Sequence, residues 1–258
     1  MAGVDHGLEI RLAQGEADLR AAQRLRYEVF VAELGGDGPL VDHAARLEAD
    51  EWDALFDHLV LVDTARPAGE HVVAVYRLLP GDRVGPGGRF YSEGEFDLGP
   101  LRSSGRSLVE LGRSCVAADH RGGSALYLMW NGLAAYVLER GIEVMFGSAS
   151  FHGTNSEALE QPLSWLYHHH LAPPELRVTA RAEHRREMNL MPPDALDRVA
   201  AQSRMPALIK AYLRLGGCVG DGAWVDSAFN TTDVCLVMDT GRMSARHRDF
   251  YVRKQGPA

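Results

Sequence analysis

One apolar segment carries two charged side chains, and it constrains the fold and the function of this chain more than any other segment. Residues 107–116 read Ser-Leu-Val-Glu-Leu-Gly-Arg-Ser-Cys-Val, which is typical of a buried strand. The charged residues are Glu110 and Arg113, and an unpaired buried charge costs several kcal/mol. The pattern therefore indicates either a structural ion pair or a strand that supplies a catalytic base.

Glycine in the same segment predicts an irregular strand. Regular alternation would place Glu110 and Arg113 on opposite faces of a sheet, and Gly112 lies between them. A glycine inside a strand often marks a β-bulge, which breaks the alternation and separates neighbouring strands. We therefore predict a β-bulge at Gly112 that opens a cleft for a ligand.

Composition and charge narrow the class of protein. The chain has 258 residues, of which 46% are hydrophobic and 24% charged, so it can bury a sizeable core. Its net charge of −8 argues against nucleic acid as a partner. The cysteines Cys115, Cys218 and Cys235 form no CxxC motif, and a secretory signal and a membrane-spanning apolar run are both lacking. We expect a cytoplasmic protein without a disulfide framework.

Helical and strand patterns alternate along the chain. Apolar spacing predicts strands at 8–13, 57–63, 71–79, 107–116, 142–148, 219–225 and 234–238, and helices at 16–34, 124–140 and 207–215. Residues 154–215 are mainly helical with proline breaks. We therefore predict an α/β fold of the mixed α+β type, with a mixed rather than purely parallel central sheet and helices on both faces. It would form a single domain over 1–258, with a helical elaboration at about 154–215.

Several common motifs are lacking from the sequence. It contains no GxSxG elbow, no Walker A motif and no GxGxxG after a strand, which argues against serine hydrolases, nucleotide hydrolysis and dinucleotide binding. The run His168-His169-His170 has no partner at ligand spacing, so no metal site is predicted. The turn at 120–125, His-Arg-Gly-Gly-Ser-Ala, precedes a helix; it fits a phosphate cradle and an ordinary turn about equally well.

The order of motifs resembles a known family. Leu25-Arg-Tyr-Glu-Val-Phe30 is followed by Asp50 and Asp53, by Tyr76-Arg-Leu-Leu-Pro80, and by Glu110-Leu-Gly-Arg113. This order is similar to that of acyl-homoserine-lactone synthases within the N-acetyltransferase (GNAT) superfamily. The C-terminal stretch, 212–226 and 229–234, more closely resembles the L-ornithine N-alpha-acyltransferases that make lyso-ornithine lipid.

The resemblance implies a reaction and a set of site residues. It implies a GNAT-like fold with a mostly antiparallel central sheet split by a β-bulge. It also implies transfer of a 3-hydroxy fatty acyl group from acyl carrier protein to the α-amino group of L-ornithine, with no tightly bound cofactor. Glu110 matches the proposed general base and Arg113 a second catalytic residue. The residues implied to bind the amino acid are Arg26, Phe30, Asp50, Asp53 and Arg77. Those implied to bind the carrier's phosphopantetheine are Val116, Arg121, Gly122, Gly123 and Ser124.

The turn at 120–125 departs from the coenzyme A pattern of the superfamily. His120 stands where an Arg or Gln is typical, and a weaker cradle would suffice for the single phosphate of a carrier protein's phosphopantetheine. Arg102, Arg106 and Arg121 are the candidates for docking this acidic carrier. We also expect peripheral contact with the cytoplasmic face of the inner membrane. Another N-acyl amino acid or acyl-homoserine-lactone synthase, a coenzyme A-dependent enzyme and a non-catalytic carrier-binding protein remain alternatives.

Overall fold

The structure, a computed structural model, describes residues 7–38 and 41–242. Within these residues the strands are β1 (Leu8–Leu12), β2 (Val41–Asp42), β3 (Leu47–Glu48), β4 (Asp57–Asp63), β5 (Val72–Pro80), β6 (Phe96–Asp97), β7 (Leu108–Val116), β8 (Val144–His152), β9 (Thr179–Ala180), β10 (Arg185–Arg186), β11 (Cys218–Val219), β12 (Ala223–Asp226) and β13 (Thr231–Asp239). The helices are α1 (Gly15–Arg26), α2 (Gly99–Ser103), α3 (Ala125–Glu139), α4 (Ser156–His170), α5 (Arg198–Arg204) and α6 (Ala207–Arg214).

The backbone divides into two compact units. Unit 1 comprises the described residues of Met1–Arg83 and Leu111–Arg140, and unit 2 comprises those of Val84–Glu110 and Gly141–Ala258. Strand β7 therefore contributes Leu108–Glu110 to unit 2 and its remaining residues to unit 1. The expectation of a single domain over 1–258 stays a prediction.

Unit 1 is built on the strand order β1-β4-β5-β7, in which β1 and β5 each run antiparallel to β4. All nine residues of β5 are buried because helices α1 and α3 pack against this sheet. Gly132 of α3 allows the close approach, since a Cβ atom there would lie 2.5 Å from Cγ1 of Ile10. The apolar strands and the predicted helix at 124–140 thus form the core of this unit.

Unit 2 is built on β8 and β13, which pair antiparallel over nine residues each. Leu108–Glu110 pair parallel with β8 on one side, and β12 and then β10 continue the sheet beyond β13. Helix α6 packs on β13, while α4 contacts α5 and β11. The predicted elaboration at 154–215 accordingly holds α4, α5 and α6, together with the short strands β9 and β10.

The predicted fold class is confirmed, with one difference in a helix. Both units have α/β architecture with mostly antiparallel strands. The helix predicted at 16–34 is α-helical only over Gly15–Arg26 and continues as a π-helix over Tyr27–Glu33. A π-helix has a wider turn that apolar spacing does not reveal, and such turns are frequent at functional sites. Among the described residues, none of the helices is both long enough and apolar enough to cross a membrane.

Strand β7 is irregular next to Gly112. Arg113 has a φ of 51°, in the left-handed region that side chains larger than glycine rarely adopt. Such a residue interrupts the alternation of a strand, as a bulge does. The irregularity predicted at Gly112 thus coincides with a strained backbone at the neighbouring arginine.

Candidate active site

Glu110 lies at the end of the part of β7 that belongs to unit 2, and its side chain is almost completely enclosed. The residue is 1% exposed. Its Oε2 accepts the backbone N–H of Tyr91 at 2.7 Å, and its Oε1 accepts the backbone N–H of Ser92 at 2.6 Å. The Ser92 hydroxyl also donates to Oε1. These three donors fix both oxygens of the Glu110 carboxylate inside unit 2.

The local fold around Tyr91 explains why these donors face Glu110. Tyr91–Gly94 forms a short 3-10 helix, and the first N–H groups of a helix have no partner within it. The preceding N–H, of Phe90, is satisfied by Oε2 of Glu93 at 2.6 Å. Tyr91 and Ser92 are therefore left to donate to the carboxylate on β7.

Two serine hydroxyls extend from Glu110 to a second carboxylate. Oγ of Ser92 lies 3.4 Å from Oγ of Ser148, which is on β8. The Ser148 hydroxyl in turn donates to Oε2 of Glu95. Glu110, Ser92, Ser148 and Glu95 therefore form a continuous chain of oxygen atoms within unit 2.

The second carboxylate belongs to an acidic group. Carboxylate oxygens of Glu95, Asp226 and Asp233 all lie within 4.8 Å of one another. Glu95 and Asp233 are buried, whereas Asp226 is half-buried. The thiol of Cys235 lies near this group. Burial, and then the charges of Glu110 and Glu95, raise the pKa of this thiol far above its ordinary value. The acidic group thus has one member that is partly accessible to solvent.

Unit 1 gathers the charged residues that the motif order singled out. Nε of Arg26 binds Glu48, and its Nη1 donates to Oδ1 of Asp53 at 2.5 Å. Nη1 of Arg77 donates to Oδ1 of Asp50 at 2.6 Å and to Oδ1 of Asp53 at 2.9 Å. Nε of Arg113 donates to Oε1 of Glu48 at 3.1 Å. Three guanidinium groups and three carboxylates therefore form one charge network in this unit: Arg26, Arg77, Arg113, Glu48, Asp50 and Asp53.

Local structure orients the acidic side of this network. Asp50 caps the 3-10 helix Glu51–Ala54 by accepting the N–H of Trp52 at 3.0 Å. Oδ2 of Asp53 accepts a hydrogen bond from Nε2 of Gln23 at 2.9 Å. Burial opposes ionisation of Asp53, but the charges of Arg26 and Arg77 outweigh it and hold its pKa well below the ordinary value. Asp53 is therefore a fixed negative charge.

Members of the network differ in their access to solvent. The side chains of Arg26 and Arg77 are 0% and 1% exposed, whereas those of Asp50 and Arg113 are each 16% exposed. Within the described part of the chain, Nη2 of Arg26 and Oδ2 of Asp50 are buried and have no hydrogen-bond partner. Buried polar atoms are rarely left without a hydrogen bond. Oδ2 of Asp50 does lie 3.5 Å from Nη2 of Arg113 and forms an ion pair with it.

Two other predicted site elements lie in unit 1. Phe30 is half-buried in the π-helix that follows α1. Arg121 forms a two-pronged ion pair with Glu33, at 2.6 Å for each bond, and its Nε donates to the carbonyl of Val116. The turn then passes through Gly122, which has a φ of 78°, to Gly123 and to Ser124 at the start of α3.

The other arginines predicted to dock a carrier protein also have acidic partners within unit 2. Arg102 donates to Glu93 at 2.8 Å, and Arg106 donates to both oxygens of Asp239, at 2.7 and 2.8 Å. A carrier carboxylate would therefore compete with an internal one at each of these positions. Whether any of them docks a carrier stays a prediction.

Sequence reasoning missed six residues of these clusters. Glu48 lies two residues before Asp50, and Ser92 and Glu95 lie in a segment for which no strand or helix was predicted. Asp226 and Asp233 lie in the C-terminal stretch that carries the family resemblance. Ser148 lies in a strand that was predicted, but its hydroxyl carried no sequence signal.

His168, in the histidine run, has its Nε2 hydrogen-bonded to the carbonyl of Met191 at 2.9 Å.

Comparison with known proteins identifies relatives of this chain. Residues 25–131 match the family described as acetyltransferase (GNAT) domain. The chain is 60% identical, over 98% of both chains, to the L-ornithine N(alpha)-acyltransferase of Rhodobacter capsulatus. Its fold is similar to that of FeeM, an N-acyl amino acid synthase from uncultured soil microbes, with a TM-score of 0.52 at 13% identity over 91% of this chain and 92% of that one. It is also similar to BjaI, a coenzyme A-dependent acyl-homoserine lactone synthase, with a TM-score of 0.50 at 16% identity over 92% and 81%.

Proposed function

The chain belongs to the L-ornithine N(alpha)-acyltransferase family, and we propose that it transfers a 3-hydroxy fatty acyl group from acyl carrier protein to the α-amino group of L-ornithine. The product is a lyso-ornithine lipid. The observation that carries this proposal is the 60% identity over 98% of the chain to a relative of that name. An acyl thioester is the donor because amide formation needs an activated acyl group.

Glu110 acts as the general base in this proposal. The attacking amine must lose a proton before its lone pair can reach the thioester carbon, and a carboxylate can accept that proton directly or through a water molecule. The support is that Glu110 is buried and that Tyr91 and Ser92 hold its oxygens in place. A positioned base of this kind contributes about 10²- to 10⁴-fold to a rate.

The charge network of unit 1 is the proposed binding element for the amino acid. Ornithine carries one carboxylate and two amino groups, and a guanidinium binds a carboxylate through two parallel hydrogen bonds. Asp50 and Arg113 are the network members with partly exposed side chains, so they would contact the ligand. Arg26, Asp53 and Arg77 would hold those two in position, and Phe30 would supply an apolar contact.

The turn at the start of α3 is the proposed contact for the donor's phosphopantetheine. Val116, Arg121, Gly122, Gly123 and Ser124 lie in this segment, and backbone N–H groups before a helix bind phosphate well. The pairing of Arg121 with Glu33 leaves backbone donors as the main cradle. That arrangement suits the single phosphate of a carrier protein better than the pyrophosphate of coenzyme A. Release of an amphiphilic product fits peripheral contact with the inner membrane.

A reconstituted reaction tests the proposal directly. The purified chain is incubated with 3-hydroxyacyl carrier protein and L-ornithine, and tandem mass spectrometry locates the acyl group on the α- or the δ-nitrogen. We expect Nα-acylornithine, with little product from lysine, from homoserine or from ornithine whose α-amino group is blocked. Absence of product with every donor would reject the enzyme assignment.

A second arm of the same experiment separates the donors. The matched acyl-coenzyme A replaces the acyl carrier protein at equal concentration, with the same acyl chain. We expect kcat/KM to be at least tenfold higher with the carrier protein, and equal values would reject carrier specificity. Unhydroxylated donors of the same length test the 3-hydroxyl requirement.

A further inference from the structure

Acyl transfer from a thioester to an ammonium group releases a proton that must leave the protein. The ammonium nitrogen loses two protons when the amide forms; one ends on the departing thiol and one is left over. If Glu110 accepts this proton, as the proposed function requires, it must lose it again before the next turnover. Glu110 is 1% exposed, so direct exchange with bulk water is blocked at its own carboxylate.

The chain of oxygen atoms in unit 2 leads away from Glu110. Ser92, which is 1% exposed, donates its hydroxyl to Oε1 of Glu110, and Ser148 donates its hydroxyl to Oε2 of Glu95. The two hydroxyl oxygens are 3.4 Å apart. Each hydroxyl has one proton to give and lone pairs to accept another, which is the property that a proton relay needs.

We propose that Ser92 and Ser148 relay the released proton from Glu110 to Glu95. A proton on Oε1 of Glu110 passes to Oγ of Ser92, the Ser92 proton passes to Oγ of Ser148, and the Ser148 proton passes to Oε2 of Glu95. Each hydroxyl gains one proton and loses one, so Glu110 returns to its anionic form and Glu95 becomes neutral. Ser92, Ser148 and Glu95 are thus positioning residues that act through Glu110.

The orientation of the two hydroxyls before the reaction explains why the transfer starts only after Glu110 is protonated. In the structure both hydroxyls point to carboxylates, and the contact between the two serines is longer than an ordinary hydroxyl hydrogen bond. Once Glu110 is protonated it becomes a donor, and the Ser92 proton is free to turn towards Ser148. Hydrogen bonds in active sites are often long in the free enzyme and tighten in the reacting complex.

The acidic group supplies the end of the relay. Carboxylate oxygens of Glu95, Asp226 and Asp233 lie within 4.8 Å of one another, and ionised carboxylates at such distances repel, so a proton is favoured on one of them. Asp226 is half-buried, so the acidic group that contains Glu95 extends to a residue that solvent can reach. Cys235 lies opposite Ser148 on β13, but burial and the charges of Glu110 and Glu95 raise the pKa of its thiol, so the thiol stays protonated and is not a competing acceptor.

Substitution of Ser148 tests the relay. In steady-state assays of N-acylornithine formation, we expect Ser148→Ala to lower kcat by about tenfold or more while the KM for ornithine stays within about twofold. Ser148→Thr keeps the hydroxyl and should restore most of kcat. Ser150→Ala changes an exposed serine two residues along the same strand and serves as the matched control, with unchanged kcat. A kcat for Ser148→Ala within twofold of the wild-type value would overturn the proposal.

A solvent isotope measurement distinguishes a relay from a structural role. In mixtures of light and heavy water, we expect the wild-type kcat to fall with a curved dependence on deuterium content, because several protons move together. Ser148→Ala and Glu95→Gln should give a smaller and linear dependence, and an unchanged curve in both would contradict the relay. If the wild-type chain forms no N-acyl product at all, the proposed function fails instead. An active wild type with unaffected variants refutes only the relay.

Discussion

Ser92 holds Glu110 through two donors, its backbone N–H and its side-chain hydroxyl, which both reach the same carboxylate oxygen. Because of these two bonds, Glu110 contributes to the stability of unit 2 as well as to the proposed catalysis. The carboxylate satisfies backbone donors of a 3-10 helix, and the same contacts fix it on β7. The effect of a substitution at Glu110 must therefore be measured on both the stability and the activity of the protein.

Replacing Glu110 with Gln should abolish most catalysis. The amide cannot accept the ammonium proton, so we expect kcat to fall by about 10²- to 10⁴-fold. Glu139→Gln, at an exposed position of α3, is the matched control. Rates come from mass spectrometry of the product, and thermal melts show whether the variant is folded. A folded Glu110→Gln protein with the wild-type kcat would refute the base role.

Breaking the charge network of unit 1 should strongly destabilise that unit. Arg26→Met removes one of the two arginines that pair with Glu48 and one of the two that pair with Asp53, and breaking a buried ion pair costs about 3–5 kcal/mol of the free energy of unfolding. Urea unfolding followed by circular dichroism measures this change. Arg46→Met removes the exposed pair of Arg46 with Glu28 and should leave the unfolding midpoint unchanged. Equal midpoints for both variants would mean that the network contributes nothing to stability.

Asp18 should make the stability of unit 1 sensitive to acid. Its hydrogen bond from Arg11 is the largest influence, and it holds the pKa of Asp18 below the ordinary value although burial opposes this; Gln14 and His71 add further bonds. Between the folded and unfolded pKa values the unfolded chain binds more protons, so the contribution is present above about pH 4 and lost as the pH falls.

Asp18→Asn tests this acid dependence. The variant should be less stable than the wild type at pH 7, and the difference should shrink as urea unfolding is repeated towards pH 3. Asp37→Asn, on an exposed carboxylate, is the control and should leave the pH dependence unchanged. A difference between Asp18→Asn and the wild type that stays constant across this range would contradict the assignment.

The three cysteines should differ in reactivity. Burial raises the pKa of Cys115 to about 12 and places the pKa of Cys235 higher still, whereas Cys218 is only half-buried. We expect iodoacetamide to modify Cys218 in the folded protein and all three residues in urea, as read by peptide mass spectrometry. Rapid labelling of Cys235 in the folded chain would show that the interior of unit 2 opens.

Charge reversal tests carrier docking at Arg102. Arg102→Glu should raise the KM for acyl carrier protein several-fold at low salt and lose this effect at high salt, because long-range steering is screened. Arg20→Glu reverses an exposed charge on α1 and is the control. Arg102 already pairs with Glu93, so a carrier carboxylate would have to compete with that residue. An unchanged KM would mean that the carrier docks elsewhere.

Sequence patterns predicted several of the strands and helices around these sites well. The strand at 107–116 and the helices at 124–140 and 207–215 lie within one or two residues of β7, α3 and α6. These elements follow from local properties: apolar periodicity, Gly at a helix end and Pro at a helix start. The π-helical turn at Tyr27–Glu33 escaped prediction because it leaves the apolar spacing nearly unchanged.

The sequence by itself determined which residues can carry charge and chemistry. An acid or an arginine in an apolar segment costs free energy when it is buried unless a partner compensates its charge, whatever fold the chain adopts. Tertiary structure alone decided the partner of each charge. Arg26 could have bound any nearby acid but pairs with Glu48, 22 residues away, and Glu110 is held by Ser92, 18 residues away. Ion pairs and hydrogen bonds act over a few ångströms of space, and spacing along the chain does not report that distance.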